Sequence, residues 1–268
     1  MNSLWSTLPF ASVMLAFVLL FRNSLPFAWT ARMMLPFLHL RLTSSKRVSD
    51  PNRLPSAHGR NPFEDRFTSK HRATIDECDF MGHLSNSSYP KNLDLARMNY
   101  SSDRLADFML DGGWVPLGST SFVFHNEIPL LSEYTITSRI ETWDDKWLYL
   151  RNEFTGKSKK GDNILFCTSI TKHCFKHGRK TIAPWFVLAY CGYSSSKDKE
   201  TSIKANSTRS IELRQSLKSA KSINPLQAYQ KSTTARQEPI WCSPEYWDVD
   251  SWETERKERL DKLSNAFL

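Results

Sequence analysis

An α+β domain, with one long helix lying on an antiparallel sheet, is what the order of elements in this chain predicts. A β-rich segment at 66–76 (RFTSKHRATID) precedes a long helical pattern, and four segments rich in β-branched and aromatic residues follow at 119–128, 134–143, 147–156 and 163–175. The links among those four, PLLSE, DDK and KSKKGD, are short and polar or marked by proline, which suits a meander of hairpins. Strand, helix, then several strands is the order of a sheet with one covering helix, not of alternating βαβ units.

Taken from the start of the chain, residues 4–21 (LWSTLPFASVMLAFVLLF) form an uncharged apolar run close to the ~18–20 residues that cross a bilayer. No basic residue precedes the run and no small-x-small site follows it, so a membrane anchor over 1–21 is expected rather than a cleaved signal peptide. Residues 22–75 carry ten basic side chains against three acids, a net +7 of the chain's +8. Positive charge just after a membrane segment tends to stay cytoplasmic, so the expected location is a single-pass anchor, in the endoplasmic reticulum, with the domain cytosolic. The same charge lacks interleaved stacking aromatics, which argues against a nucleic-acid partner. A second apolar patch, LPFAWTARMMLPFLHL, is broken by Pro26, Arg32 and Pro36 and is expected to lie in an interface or pack on the domain.

Residues 43–62 are rich in polar residues, Ser and Pro, so 22–62 reads as a basic juxtamembrane segment and linker, and the folded domain is expected over 63–192. Ser, Lys, Thr and Gln dominate 193–238, which reads as a disordered insertion, with SIELRQSLKSA as a transient helix at most. In 239–268 an aromatic run, EPIWCSPEYWDVD, is expected to pack back on the domain ahead of a charged helix. The five cysteines are widely spaced and form no CxxC pair, so neither a disulfide framework nor a zinc site is indicated, and no cofactor or metal is expected.

The helical pattern holds the candidate site. Ser87 or Ser88 is suited to cap a helix, Pro90 is tolerated in its first turn, and Gly112-Gly113 ends it. Tyr89, Leu93, Ala96 and Tyr100 then share one apolar face. Directly ahead lies DFMGHLSNSSY, which brings Asp79 and His83 to a helix mouth whose unpaired N–H groups suit a carbonyl oxygen becoming negative. A base or nucleophile, a polar partner and oxyanion donors are what acyl transfer needs. Asp94 and Arg97, three apart, are expected to pair with each other in a supporting role.

These residues carry a family resemblance. DFMGHLSNSSY resembles the D-x-x-x-H-x-x-N-x-x-Y turn of hotdog-fold thioesterases, LDLAR its helical continuation, and NEIPLLSEYTITSRIETWDDKWLYLRNEF a membrane-anchored lineage that includes thioesterase superfamily member six and thioesterases of fungal biosynthetic clusters. The resemblance implies an antiparallel sheet wrapped around the long helix and a homodimer with the site between subunits. It also implies catalytic roles for Asp79, as general base or nucleophile, for His83 and for Asn86, whose neighbouring N–H would polarise the thioester carbonyl. Gly82 and Tyr89 are expected to contact substrate, although the helical period also places Tyr89 in the core. Met81 stands where the plant acyl-carrier-protein branch has asparagine, so that branch's triad does not transfer whole. The substrate implied is an acyl or polyketide thioester of coenzyme A or of a carrier protein, with product release in fungal secondary metabolism one setting. The alternatives are a non-catalytic acyl-binding or scaffolding protein at the membrane and, lower, a dehydratase on the same fold.

Overall fold

The computed structural model describes residues 4–49, 57–158, 160–194, 206–219, 224–232 and 239–267. The expected strands form at their expected places. β1 (Phe67–Arg72), β3 (Leu117–Phe124), β4 (Glu133–Trp143), β5 (Trp147–Lys157) and β6 (Asn163–His177) make an antiparallel sheet in the order β1-β4-β5-β6-β3. Two short strands that carry no periodicity of their own, β2 (Gly113–Trp114) and β7 (Lys180–Ile182), extend the sheet on the last residues of β6.

Helix α3 (Ser88–Arg104) lies on this sheet, and α4 (Ala106–Leu110) continues it after a break at Leu105. Its expected face is the buried one: Tyr89, Leu93, Ala96 and Tyr100 are all 2% exposed or less. They meet Ile136, Ile140, Leu150 and Phe154, which point inward at alternate positions of β4 and β5. Each such large side chain, fully buried, contributes roughly 1.5–3 kcal/mol. The opposite face of the sheet is covered by α8 (Asp250–Phe267), whose Leu263 packs on Tyr149 and Ile170 and whose Trp252 meets Trp143 edge-on.

Helix α1 (Leu4–Leu20) differs from the anchor expected over 1–21. It has 17 residues, about 25 Å at 1.5 Å per residue, short of the ~30 Å hydrocarbon core. Among the described residues no helix is long and apolar enough to cross a membrane, so a spanning anchor is not supported. Its apolar side chains are nevertheless exposed, Phe10, Val13 and Leu15 among them. The second apolar patch forms α2 (Ala28–Ser49), with Pro36 inside it, and packs through Phe37 and Leu40 on Met98, Ala106 and Met109. The link between α1 and α2 is pinned beside the candidate site. Asp76 Oδ2 accepts the N–H groups of Asn23 and Ser24 at 2.8 and 2.9 Å, and Lys91 Nζ donates to the Asn23 carbonyl at 2.9 Å. Burial pushes the Asp76 carboxyl up, but the hydrogen bonds from Thr74, Asn23 and Ser24 outweigh it and hold it below the usual range.

Two segments expected to be linker or disorder contribute to packing. Residues 43–49 are the end of α2, and Ala57 belongs to the core. Within 193–238, α6 (Asn206–Ser219) and α7 (Pro225–Ser232) dock beside α5 (Pro184–Tyr190), while 195–205, 220–223 and 233–238 lie outside the described residues. The correction has a physical reason. The segment has few apolar residues, but Leu213 and Leu226 are buried, Tyr229 stacks on Phe186 at 4.2 Å, and polar residues do the rest. Asn206 donates to the carbonyls of Tyr193 and Asp248 and accepts the Asp248 N–H. Arg214 reaches Asp107 and Asp111.

Candidate active site

The turn ahead of α3 is built from its own polar groups. The Asp79 N–H donates to the His83 carbonyl (3.0 Å) and the Gly82 N–H to the Asp79 carbonyl (3.1 Å), which closes 79–83. Gly82 has φ +80°, a conformation that glycine adopts without the Cβ penalty. Asp79 Oδ1 accepts the Met81 N–H at 2.9 Å, fixing the carboxylate by an Asx turn. Its second oxygen, Oδ2, is 3.4 Å from His83 Nδ1, and His83 Nε2 is 3.6 Å from Glu127 Oε1. Asp79 and His83 are thus brought together at the entrance to α3, with side chains 29% and 18% exposed, open to a substrate yet half withdrawn from water.

The turn is held from two sides. Leu84 donates to the Ile128 carbonyl and Leu130 to the Gly82 carbonyl, so the stretch after β3 braces it. Below, the Ser85 N–H and the Ser88 hydroxyl both donate to the Glu77 carbonyl, at 3.0 and 2.8 Å. Ser88 begins the helix, Ser87 makes no side-chain cap bond, and the terminus keeps its positive end toward the turn.

Other expected residues fall less simply. Asn86 is exposed and lies two positions ahead of the helix. Tyr89 is 2% exposed and packs between Phe124 and Phe154, with ring centroids at 5.0 and 5.1 Å. That places it in the core rather than on an open substrate surface, and burial pushes its phenol up to about 12. Asp94 and Arg97 form the expected ion pair, but on a cavity wall, where burial lowers Arg97 to about 10. Cys78, adjacent to Asp79, is no rival nucleophile: burial and the carboxylates of Asp79, Glu77 and Asp76 push its thiol up and keep it protonated.

Glu127 was missed by sequence reasoning. It stands 44 residues beyond His83, and only the pairing of Ile128 and Pro129 with the turn brings it near. The one signal for it was its place in the NEIPLL stretch of the family resemblance.

A curled antiparallel sheet around a long helix, with an acid-histidine turn at the helix mouth, is the hotdog-type thioesterase fold. Residues 73–189 match the thioesterase-like superfamily. Among its relatives is the Saccharomyces cerevisiae protein named Probable thioesterase YBR096W, 41% identical over 124 residues, which are 45% of this chain and 53% of that one. Thioesterase poxG of Penicillium oxalicum is 28% identical over 214 residues, 66% of this chain and 69% of its own. Protein THEM6 of Danio rerio is 29% identical over 90 residues, 32% of this chain and 44% of its own. The alignment thus spans about half the length of the yeast and fish relatives and about two thirds of the Penicillium one.

Proposed function

We propose that this protein hydrolyses acyl thioesters. The observation that carries the reading is the Asp79 carboxylate: one oxygen is fixed by the Met81 N–H and the other is left beside His83 at the open N-terminus of α3. Asp79 takes the proton of an attacking water, or attacks the acyl carbonyl itself, while the helix-terminal N–H groups receive the developing oxyanion. His83, between Asp79 and Glu127, orients the carboxylate. The substrate is an acyl thioester of coenzyme A or of a carrier protein, and the resemblance of the NEIPLLSEYTITSRIETWDDKWLYLRNEF stretch to thioesterases of fungal biosynthetic clusters is what supports a role in secondary metabolism.

Attachment to a lipid surface through the exposed apolar face of α1 is part of the same proposal, with the basic residues that follow it facing an anionic cytosolic leaflet, as at the endoplasmic reticulum. So is a homodimer: β3 is paired by β6 along one side and exposes most of its residues, an edge suited to a second copy of the chain.

The experiment is thiol release from a panel of acyl-CoA and carrier-bound thioesters by the full chain and by Asp79→Asn. The asparagine keeps a carbonyl oxygen for the Met81 N–H, so the turn is retained while the base is lost. Turnover should fall about 10²- to 10⁴-fold at unchanged melting temperature. No turnover on any substrate, or a variant as active as its parent, would end the reading.

A further inference from the structure

Beside the core helix, away from the Asp79 turn, is a cavity of about 220 Å³ between α3, β2, the start of β3 and the β5–β6 pair. A void of roughly 150 Å³ holds a benzene ring, so this one accommodates a substituted ring or a short branched chain. Its wall is largely apolar, with Leu105, Leu148 and Leu150 prominent, and Trp114, half exposed, stands at its edge.

Four polar side chains that hydrolysis does not use also line it, Asp94, Ser101, Arg97 and His173. His173 is 3% exposed, on β6. Its Nε2 lies 2.9 Å from Thr171 Oγ1, the end of a buried chain in which Ser138 Oγ donates to Asn152 Oδ1 (2.7 Å) and Asn152 Nδ2 donates to Thr171 Oγ1 (3.3 Å). His173 Nδ1 is buried with no hydrogen-bond partner. A buried polar atom left so is a standing cost that an incoming partner removes.

What that partner is follows from proton counting. Thr171 has one hydroxyl proton. If it goes to the Leu150 carbonyl at 3.5 Å, Nε2 carries the imidazole proton and Nδ1 is an acceptor. If it goes to Nε2, Nδ1 is a donor. A hydroxyl satisfies Nδ1 either way, because it both donates and accepts, whereas a carbonyl serves only one tautomer and a hydrocarbon neither. Burial, aided by the Arg97 charge, holds the imidazole down at about 3, so it is neutral in the cell. Arg97, paired with Asp94, has further N–H groups to offer the same oxygen.

We propose that this cavity binds a compact apolar group bearing one hydroxyl, with His173 Nδ1 as the selecting contact and Arg97 as the donor to the hydroxyl oxygen. Only the step that makes this group part of a substrate's acyl moiety rests on the thioesterase reading; binding itself does not.

The test is calorimetric titration of the full chain with p-cresol and with p-xylene, which differ by a hydroxyl in place of a methyl. The parent should bind p-cresol at least about tenfold more tightly. His173→Leu should keep p-xylene binding and lose the discrimination, and Asp79→Asn should leave both ligands as they were. In the parent, the ¹⁵N resonance of His173 Nδ1 should move on adding p-cresol and not p-xylene, a readout that needs no variant to fold. Equal affinities in the parent, discrimination that survives in His173→Leu, or an unmoved Nδ1 would overturn the proposal. Selective p-cresol binding by a protein that hydrolyses no thioester would instead sink the hydrolase reading and leave the cavity standing.

Discussion

Arg214 is the side chain on which docking of the C-terminal segment depends, and its removal has a predictable size. Its Nη1 lies 2.9 Å from Asp107 Oδ1 and 3.0 Å from Asp111 Oδ2, with the guanidinium 17% exposed and the carboxylates 11% and 16%. The two carboxylates, with the Tyr190 ring it lies over, hold its charge more firmly than water does. Arg214→Met keeps a stem over that ring and leaves two buried acids one cation short. Breaking a buried pair from one side costs about 3–5 kcal/mol. Here His58 remains 3.4 Å from Asp107 and the Tyr190 hydroxyl still donates to Asp111, which brings the expected loss to about 2–3 kcal/mol. At about 2–4 °C per kcal/mol for a chain of this size, the melting temperature should fall by about 4–12 °C. Arg214→Lys, with one point charge for a fork, should lose less. Urea unfolding gives the free energy, and amide exchange in α4 and α6 shows where it is lost. A change under about 0.5 kcal/mol, or exchange that quickens in α6 with no global loss, would refute the claim that α6 belongs to the same cooperative unit as the sheet.

The remaining predictions are briefer. Burial holds the imidazoles of His71 and His173 down, to about 4 and about 3, with Arg32 and Arg97 adding to it. Their folded values lie below the ~6.5 of an unfolded histidine, so the unfolded chain binds protons first. Their contribution is fully present above pH 6.5 and is lost as pH falls toward 4, at up to about 1.4 kcal/mol per pH unit for each histidine; urea titrations at pH 7.5 and 5 should show the drop, and His173→Leu should flatten it. Equal slopes for parent and variant would count against the assignment. Gly113→Ala places a Cβ 2.5 Å from the Phe108 ring and should destabilise by about 1–3 kcal/mol, read from the same denaturant curves; a neutral result would mean the ring has room to move. Binding through α1 should appear as co-sedimentation with anionic vesicles that falls when Phe10, Val13 and Leu15 are changed together to Ser, and a triple variant that sediments like its parent rules that face out.

The candidate site was legible where its chemistry is local. Asp79, Gly82 and His83 lie within five residues, and a carboxylate that accepts the N–H two positions on, closed by a glycine at positive φ, is written in that order of residues. The buried face of α3 and the alternation along β4 and β5 were equally legible, since helical and strand periods are properties of neighbouring residues. The exposed position of Asn86 was not, because where a helix starts depends on what packs against it.

What the sequence determined by itself, then, was the order of elements, the core face of the helix and the polar turn ahead of it, all set by side chains a few positions apart. Only tertiary structure decided the rest. α1 has 17 residues, and the chain after it is pinned to Asp76, 52 positions beyond Ser24. A polar segment is held to the domain where Arg214 finds Asp107 and Asp111 roughly a hundred residues back, and His173 of the sheet and Arg97 of the helix come to line one cavity. Those pairings join groups far apart in sequence, and no local pattern of hydrophobicity records which distant partner a charge or an imidazole will meet.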